Sequence, residues 1–119
     1  TLLYQDGYTG KIWKENVFSA DAAETVKNDL IQVIENPSGT GASARIDGVS
    51  LLGKTGTAEI KDSQTDTDGV ERGWFICETA DDTDTPIAVV GMVEDVKDKG
   101  GSSYVTEKVR NITAHYFGK

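Results

Sequence analysis

Lys54, Thr55 and Thr57 are the residues of this chain whose types and spacing could do chemistry. They sit in Leu51-Leu52-Gly53-Lys54-Thr55-Gly56-Thr57-Ala58-Glu59-Ile60, an apolar lead-in followed by a cation, two hydroxyls and a return to strand-like sequence. On a strand, side chains at i, i+2 and i+4 share a face. Leu51, Gly53, Thr55, Thr57 and Glu59 therefore take one face, and Leu52, Lys54, Gly56, Ala58 and Ile60 the other. Gly56 has no side chain, so another backbone or a ligand can come close there. The pattern reads as a strand built to be approached by a substrate. It holds no activated nucleophile, because a lysine with two threonines lacks the base that would sharpen a hydroxyl.

Other chemistries fit less well. Gly48-x-x-x-x-Gly53-Lys54-Thr55 matches the letters of a phosphate-binding loop. That motif needs a strand before it and a helix after it, whereas Gly56 is a poor helix start and Thr57-Ala58-Glu59-Ile60 continues as strand. Asp66-x-Asp68-Gly69 resembles the middle of a calcium loop, but the first ligand position would be Gln64 and the bidentate acid position falls on Phe75; a solvated hairpin loop is expected instead. No His, Cys or carboxylate cluster has metal spacing, so no metal and no cofactor are expected. The single cysteine, Cys77, excludes an internal disulfide and reads as a small buried hydrophobe. The single histidine, His115, is isolated near a helix end, where a cation is favoured. Asp and Glu outnumber Lys and Arg 20 to 12, for a formal charge of −8. No basic cluster offsets it, which argues against a nucleic-acid or anionic-membrane partner.

The elements that must hold the strand come next. At 119 residues with 37% hydrophobic residues, the chain makes one domain or part of one. It opens on Thr1-Leu2-Leu3-Tyr4 without Met, and 1–119 is expected to be the C-terminal portion of an incomplete domain. Tyr8-Thr9-Gly10-Lys11 reads as a turn and Lys11-Ile12-Trp13-Lys14 as a short extended piece. Tyr4, Tyr8, Trp13 and Phe18 read as packing anchors. Ser19 or Asp21 can cap a helix, and Asp21 with Glu24 has capping-box spacing. Its apolar stripe is Ala22, Val26, Leu30, Val33 and Ile34, with Ile31 at the edge. Asn36-Pro37 ends it. Ser38 to Gly41 is a turn, Ala42 to Arg45 is extended or one helical turn, and Asp47-Gly48 feeds a strand from Val49 to about Ile60.

A polar loop over 61–70 leads to a second strand, Gly73 to Thr79. An acidic turn over 80–85 leads to a third, Pro86 to Val93, apolar on both faces and so expected to be central and covered on both sides. After a loop, Gly100-Gly101-Ser102-Ser103 caps a last helix over about 103–117, with stripe Val105, Val109, Ile112 and Tyr116, stopped by Gly118. The fold class is α+β: a helix, a three-stranded antiparallel sheet with hairpin-length connections, and a C-terminal helix.

Gly39-Thr40-Gly41-x-x-Ala44, then Gly53-Lys54-Thr55-Gly56-Thr57-Ala58-Glu59, then Gly73-Trp74-Phe75 resemble the C-terminal end of class B penicillin-binding transpeptidases. Asp95-Val96-Lys97-Asp98-Lys99-Gly100 and the closing helix look most like the low-affinity, resistance-type members. The resemblance runs from about Trp13 onward. It implies part of a penicillin-binding-protein and serine β-lactamase-like fold, with the Lys-Thr-Gly strand at the edge of a five-stranded sheet. It implies a serine acyl-transferase that takes D-alanyl-D-alanine ends of cell-wall stem peptides and is acylated by β-lactams. Lys54 would sit beside a second-motif serine and aid proton transfer. Thr55 and Thr57 hydroxyls, with Gly56 between them, would bind the terminal carboxylate, and the Thr57 backbone N–H would serve the oxyanion hole.

The chain also departs from the pattern. None of Ser19, Ser38, Ser43, Ser50, Ser63, Ser102 and Ser103 is followed three residues on by lysine, and Ser-x-Asn is absent. The parent protein is expected to be an enzyme and this chain alone inactive. The equivalent piece of a β-lactam sensor or serine β-lactamase, or a non-catalytic interaction module, are the alternatives. The expected partners are stem peptides, β-lactams and the remainder of the transpeptidase domain, at the extracytoplasmic face of a bacterial membrane and anchored by a segment outside this chain. In the family the third strand pairs with a strand absent here, so the isolated chain is expected to self-associate through that edge.

Overall fold

The computed structural model describes residues 14–65, 68–81 and 83–119. The element order is α1 (Ala20–Glu35), a 3-10 turn (Ala42–Ala44), β1 (Leu51–Ile60), β2 (Val70–Thr79), β3 (Ala88–Val93) and α2 (Ser102–Tyr116). This is the α+β architecture expected from the sequence. The readings at Tyr8–Lys11 and Tyr4, and most of the piece ending at Lys14, lie outside the described residues, as does Asp66 of the calcium-like stretch.

Local chemistry explains the helix ends. Ser19, not Asp21, is the N-cap of α1: its hydroxyl accepts the Ala22 N–H at 3.2 Å. Asp21 instead lies in the first turn, where the helix dipole favours an acid. At the other end Asn36 turns extended, ψ 126, ahead of Pro37. The chain then folds back over the helix end, with the Gly41 N–H donating to the Val33 carbonyl at 3.0 Å. α2 starts at Ser102 behind Gly101, without a side-chain cap. It stops as expected: Gly118 takes φ 67, its N–H meets the His115 carbonyl at 3.1 Å, and the Lys119 N–H meets the Ala114 carbonyl at 2.9 Å.

The strands form one antiparallel sheet in the order β1-β2-β3. Its register pairs Gly53 with Cys77, Thr55 with Phe75, and Phe75 with Gly91. Directly opposed residues point the same way, so these residues line one face together with Leu51, Val89 and Val93. α2 closes on that face, and α1 reaches it with Ile34 at its C-terminal end. The core is Ile34 from α1, Ala44 and Ile46, then Leu51, Phe75, Cys77 and Val96, then Val105, Val109 and Ala114 from α2. α2 comes in close because glycines face it: a Cβ on Gly91 would stand 2.6 Å from Val109 Cγ2, and one on Gly73 would stand 2.9 Å from Val105 Cγ2. Cys77 is buried as expected, with Sγ 3.6 Å from Thr113 Oγ1, and burial raises its thiol pKa above the usual 9.0.

Three packing expectations are corrected. β3 is an edge strand among the described residues, as the missing partner strand implies, and not the central strand its two apolar faces suggest; it is covered on one face only, with Val90 63% exposed. Its apolar outer positions, Val90 and Met92, are continuous with Ile76 and Trp74 on the open face of the sheet. The α1 stripe is buried only at its C-terminal end. Ile34 is buried, whereas Ala22 and Val26 are exposed, and Phe18 is exposed rather than a packing anchor. In α2, Ile112 and Tyr116 are exposed and Thr106 and Thr113 are buried in their place. The threonines can go inside because each hydroxyl donates to the carbonyl one turn back, Thr106 to Ser102 at 3.0 Å and Thr113 to Val109 at 2.9 Å. That pairing removes the cost of burying a lone hydroxyl.

The glycine row carries a testable consequence. Gly91→Ala forces a methyl into the Val109 side chain and should cost about 1–3 kcal/mol of stability, as overpacking does. Val90→Ala, on the open face one residue away, should cost less than about 1 kcal/mol. Urea unfolding of the two variants checks the order, and equal midpoints would refute close packing at Gly91.

Candidate functional site

Lys54, Thr55, Gly56 and Thr57 all lie inside β1, with extended backbone on both sides. The phosphate-loop geometry is therefore absent, since no helix follows the threonine. β1 pairs with β2 along one side and has no strand on its other side among the described residues. Pairing to β2 sets which way each side chain points. Thr55 and Thr57 stand opposite Phe75 and Gly73, on the face the helices cover, while Lys54 and Gly56 stand opposite Ile76 and Trp74, on the open face. The sequence alternation is thus the observed one. A residue set split between two faces meets in one place only along the free edge of the strand.

Lys54 is exposed, and its Nζ donates to the Thr55 carbonyl at 2.9 Å. Among the described residues it makes no ion pair, unlike Arg45, which pairs with Glu35 at 3.2 Å, and Lys61, which pairs with Glu59 at 2.6 Å. An uncompensated ammonium beside a free strand edge favours an anion. Lys54 also borders a shallow pocket of about 140 Å³, shared with Leu30, Leu52, Ile76 and Glu78. Thr57 is exposed and Thr55 half-buried. Nothing in the described chain crowds Gly56. A Cβ there would meet only the Trp74 Cβ, at 3.6 Å, an ordinary contact. The space above Gly56 is therefore open rather than filled by another backbone.

One participant was not singled out as a site residue by the sequence. Thr55 Oγ1 donates to Thr40 Oγ1 at 2.9 Å, across 15 residues of chain. Thr40 sits in the turn that folds back over the end of α1, between Gly39 and Gly41. A hydroxyl flanked by two glycines is the visible signal, and Thr55 and Thr57 share it only in part, each having Gly56 on one side. Its partner could not be read from it, because the contact is made by the fold.

The described residues hold no group of three or more His, Cys, Asp or Glu that could take a metal ion. His115 is exposed on the last turn of α2. No helix is long and apolar enough to cross a membrane among the described residues. What the site can do alone is bind: it offers one cation, two hydroxyls and an open strand edge, which suit a carboxylate or another small anion.

Comparison with known proteins gives the family and the fold. Residues 5–114 match the family model described as the penicillin-binding protein transpeptidase domain. The chain is 36% identical over 110 residues to penicillin-binding protein 3 of Bacillus subtilis, covering 92% of the chain and 16% of that protein. The transpeptidase domain of penicillin-binding protein 3 from Burkholderia pseudomallei, solved in its apo form, superposes with a TM-score of 0.58 at 25% identity, covering 85% of the chain and 29% of that domain. A structure from Atopobium parvulum described as a peptidoglycan glycosyltransferase shares the fold, with a TM-score of 0.56 at 20% identity over 83% of the chain and 24% of its own length. The chain thus spans less than a third of each of these relatives.

Proposed function

This chain belongs to the penicillin-binding protein transpeptidase domain family, and from that premise we propose that it is the C-terminal segment of the transpeptidase domain of a class B, low-affinity peptidoglycan D,D-transpeptidase. Its part in the reaction is to supply one wall of the acyl-transfer site. The carrying observation is Lys54-Thr55-Gly56-Thr57 at a free sheet edge, with the Lys54 charge unpaired among the described residues. The ligand is a stem peptide ending in D-alanyl-D-alanine, or a β-lactam that mimics it.

The chemistry divides between this wall and the rest of the domain. A serine nucleophile and its base, carried on a Ser-x-x-Lys element, attack the penultimate D-alanine carbonyl. Lys54 lies beside a second serine, raises the local positive potential and eases proton transfer to the leaving amine. Thr55 and Thr57 hydroxyls hold the terminal carboxylate, and open space at Gly56 lets the ligand backbone lie against the strand. The Thr57 backbone N–H is one donor of the oxyanion hole, where charge develops in the tetrahedral state. The remainder of the domain packs on the open face that carries Trp74, Ile76, Val90 and Met92. The site faces the peptidoglycan, outside the cytoplasmic membrane, on a protein anchored through another segment.

In the full-length protein that carries this chain, Lys54→Gln should lower the rate of acylation by a fluorescent penicillin about 10²-fold or more. The 119-residue chain by itself should give no covalent adduct on a penicillin-labelling gel, because the nucleophile is not in it; a labelled band would refute this division of labour. The same chain should self-associate through the β3 edge, since an apolar edge that is unpaired among the described residues templates another strand. Sedimentation showing a monomer at high concentration would overturn that.

A further inference from the structure

We propose that Thr40 is a positioning residue for the ligand carboxylate, acting through Thr55 by reversing the hydrogen bond between the two hydroxyls. The proposal rests on the carboxylate-binding reading of Thr55 given above. In the structure Thr55 Oγ1 donates to Thr40 Oγ1 at 2.9 Å. A hydroxyl has one proton to give and two lone pairs to receive with. While that proton goes to Thr40, Thr55 has none for an anion. A carboxylate only accepts. Binding therefore requires Thr55 to turn its O–H to the carboxylate, and Thr40 to turn its own O–H to Thr55 Oγ1. Both oxygens keep a partner, and no proton enters or leaves the pair. In the reversed chain the first bond polarises the second, so Thr55 becomes a better donor than a lone hydroxyl.

The loop is built to keep Thr40 in reach. Gly39 and Gly41 flank it, and neither position has room for a side chain. A Cβ on Gly39 would stand 2.3 Å from the Val33 carbonyl oxygen, and one on Gly41 would stand 3.1 Å from both the Phe75 ring and Val33 Cγ1. The Gly39 N–H donates to the Asn36 carbonyl at 2.8 Å, and the Gly41 N–H to the Val33 carbonyl at 3.0 Å. Asn36 Oδ1 accepts the Ser38 N–H at 2.9 Å. Of these three tightly held residues only Thr40 carries a side chain, and its hydroxyl is spent on Thr55. The bond is not needed for folding. Thr40 is exposed, and water would serve its hydroxyl about as well.

The test uses the full-length protein with Thr40→Val, Thr40→Ser and Thr55→Val. The substrate is a thioester peptide with a free C-terminal carboxylate, and its carboxamide counterpart serves as a competitor. Thr40→Val should raise KM for the carboxylate substrate about three- to tenfold, the worth of one hydrogen bond, with kcat unchanged. It should leave the inhibition constant of the carboxamide and the melting temperature where they were. Thr40→Ser should restore KM. An unchanged or lower KM in Thr40→Val, equal losses for carboxylate and carboxamide, or no rescue by serine would each overturn the proposal. Thr55→Val separates the two levels. If it raises KM while Thr40→Val does not, only the relay fails. If it too leaves KM unchanged, the carboxylate reading of Thr55 fails and takes the relay with it.

Discussion

The ring of Phe75 is the contact on which the rest depends. It is wholly buried in the middle strand, and the chain makes room for it with glycines: a Cβ on Gly53 would stand 3.2 Å from the ring, and one on Gly41 3.1 Å. Gly53 belongs to β1 and Gly41 to the turn after α1, so one ring ties the functional strand to the loop beside it. Ile34 closes the same space from α1, its Cδ1 only 3.0 Å from where a Gly53 Cβ would be. Interiors pack to crystal-like density and transmit small changes in volume. The position of Thr40 relative to Thr55 is thus set from beneath, by apolar packing, before either hydroxyl bonds.

The two faces of the sheet have different tasks. One is finished within the chain, by α2 and the C-terminal end of α1 closing on a glycine-rich surface. The other leaves Trp74, Ile76, Val90 and Met92 between 42% and 63% exposed. Burying side chains of this size is worth roughly 1.5–3 kcal/mol each, and exposed apolar surface of this extent marks an interface. On the reading proposed above, the two unfinished features, the open face and the free edge of β1, meet at Lys54. Binding surface and domain interface are then parts of one surface, which is why a wall of the site can be present while its nucleophile is elsewhere.

Local signals were strong wherever one residue type dictates backbone geometry. Asn36-Pro37 stopped α1, Gly118 stopped α2, and alternation placed Lys54 opposite in sense to Thr55 and Thr57. The signals failed where burial depends on what lies across the gap. The apolar run Ala88 to Val93 reads as covered on both faces, yet only α2 covers it here, because hydrophobicity states what a strand tolerates and not what is present to cover it. Apolar spacing puts Ile112 and Tyr116 in the buried stripe, yet Thr106 and Thr113 are the residues buried. A threonine counts as polar on paper, but inside a helix its hydroxyl pairs one turn back and its methyl packs like valine's.

By itself the sequence determined the element order, the Lys54-Thr55-Gly56-Thr57 strand with its two-faced alternation, and the absence of a Ser-x-x-Lys nucleophile, which pointed to part of a penicillin-binding transpeptidase. These are properties of neighbours in the chain, set by dihedral preference and side-chain period. Only the tertiary structure decided that Lys54 has no ion-pair partner among the described residues and that Thr55 gives its proton to Thr40. The reason is physical. A hydrogen bond between residues 15 apart exists only after the turn and the strand have packed on the same ring, and no local preference encodes that meeting.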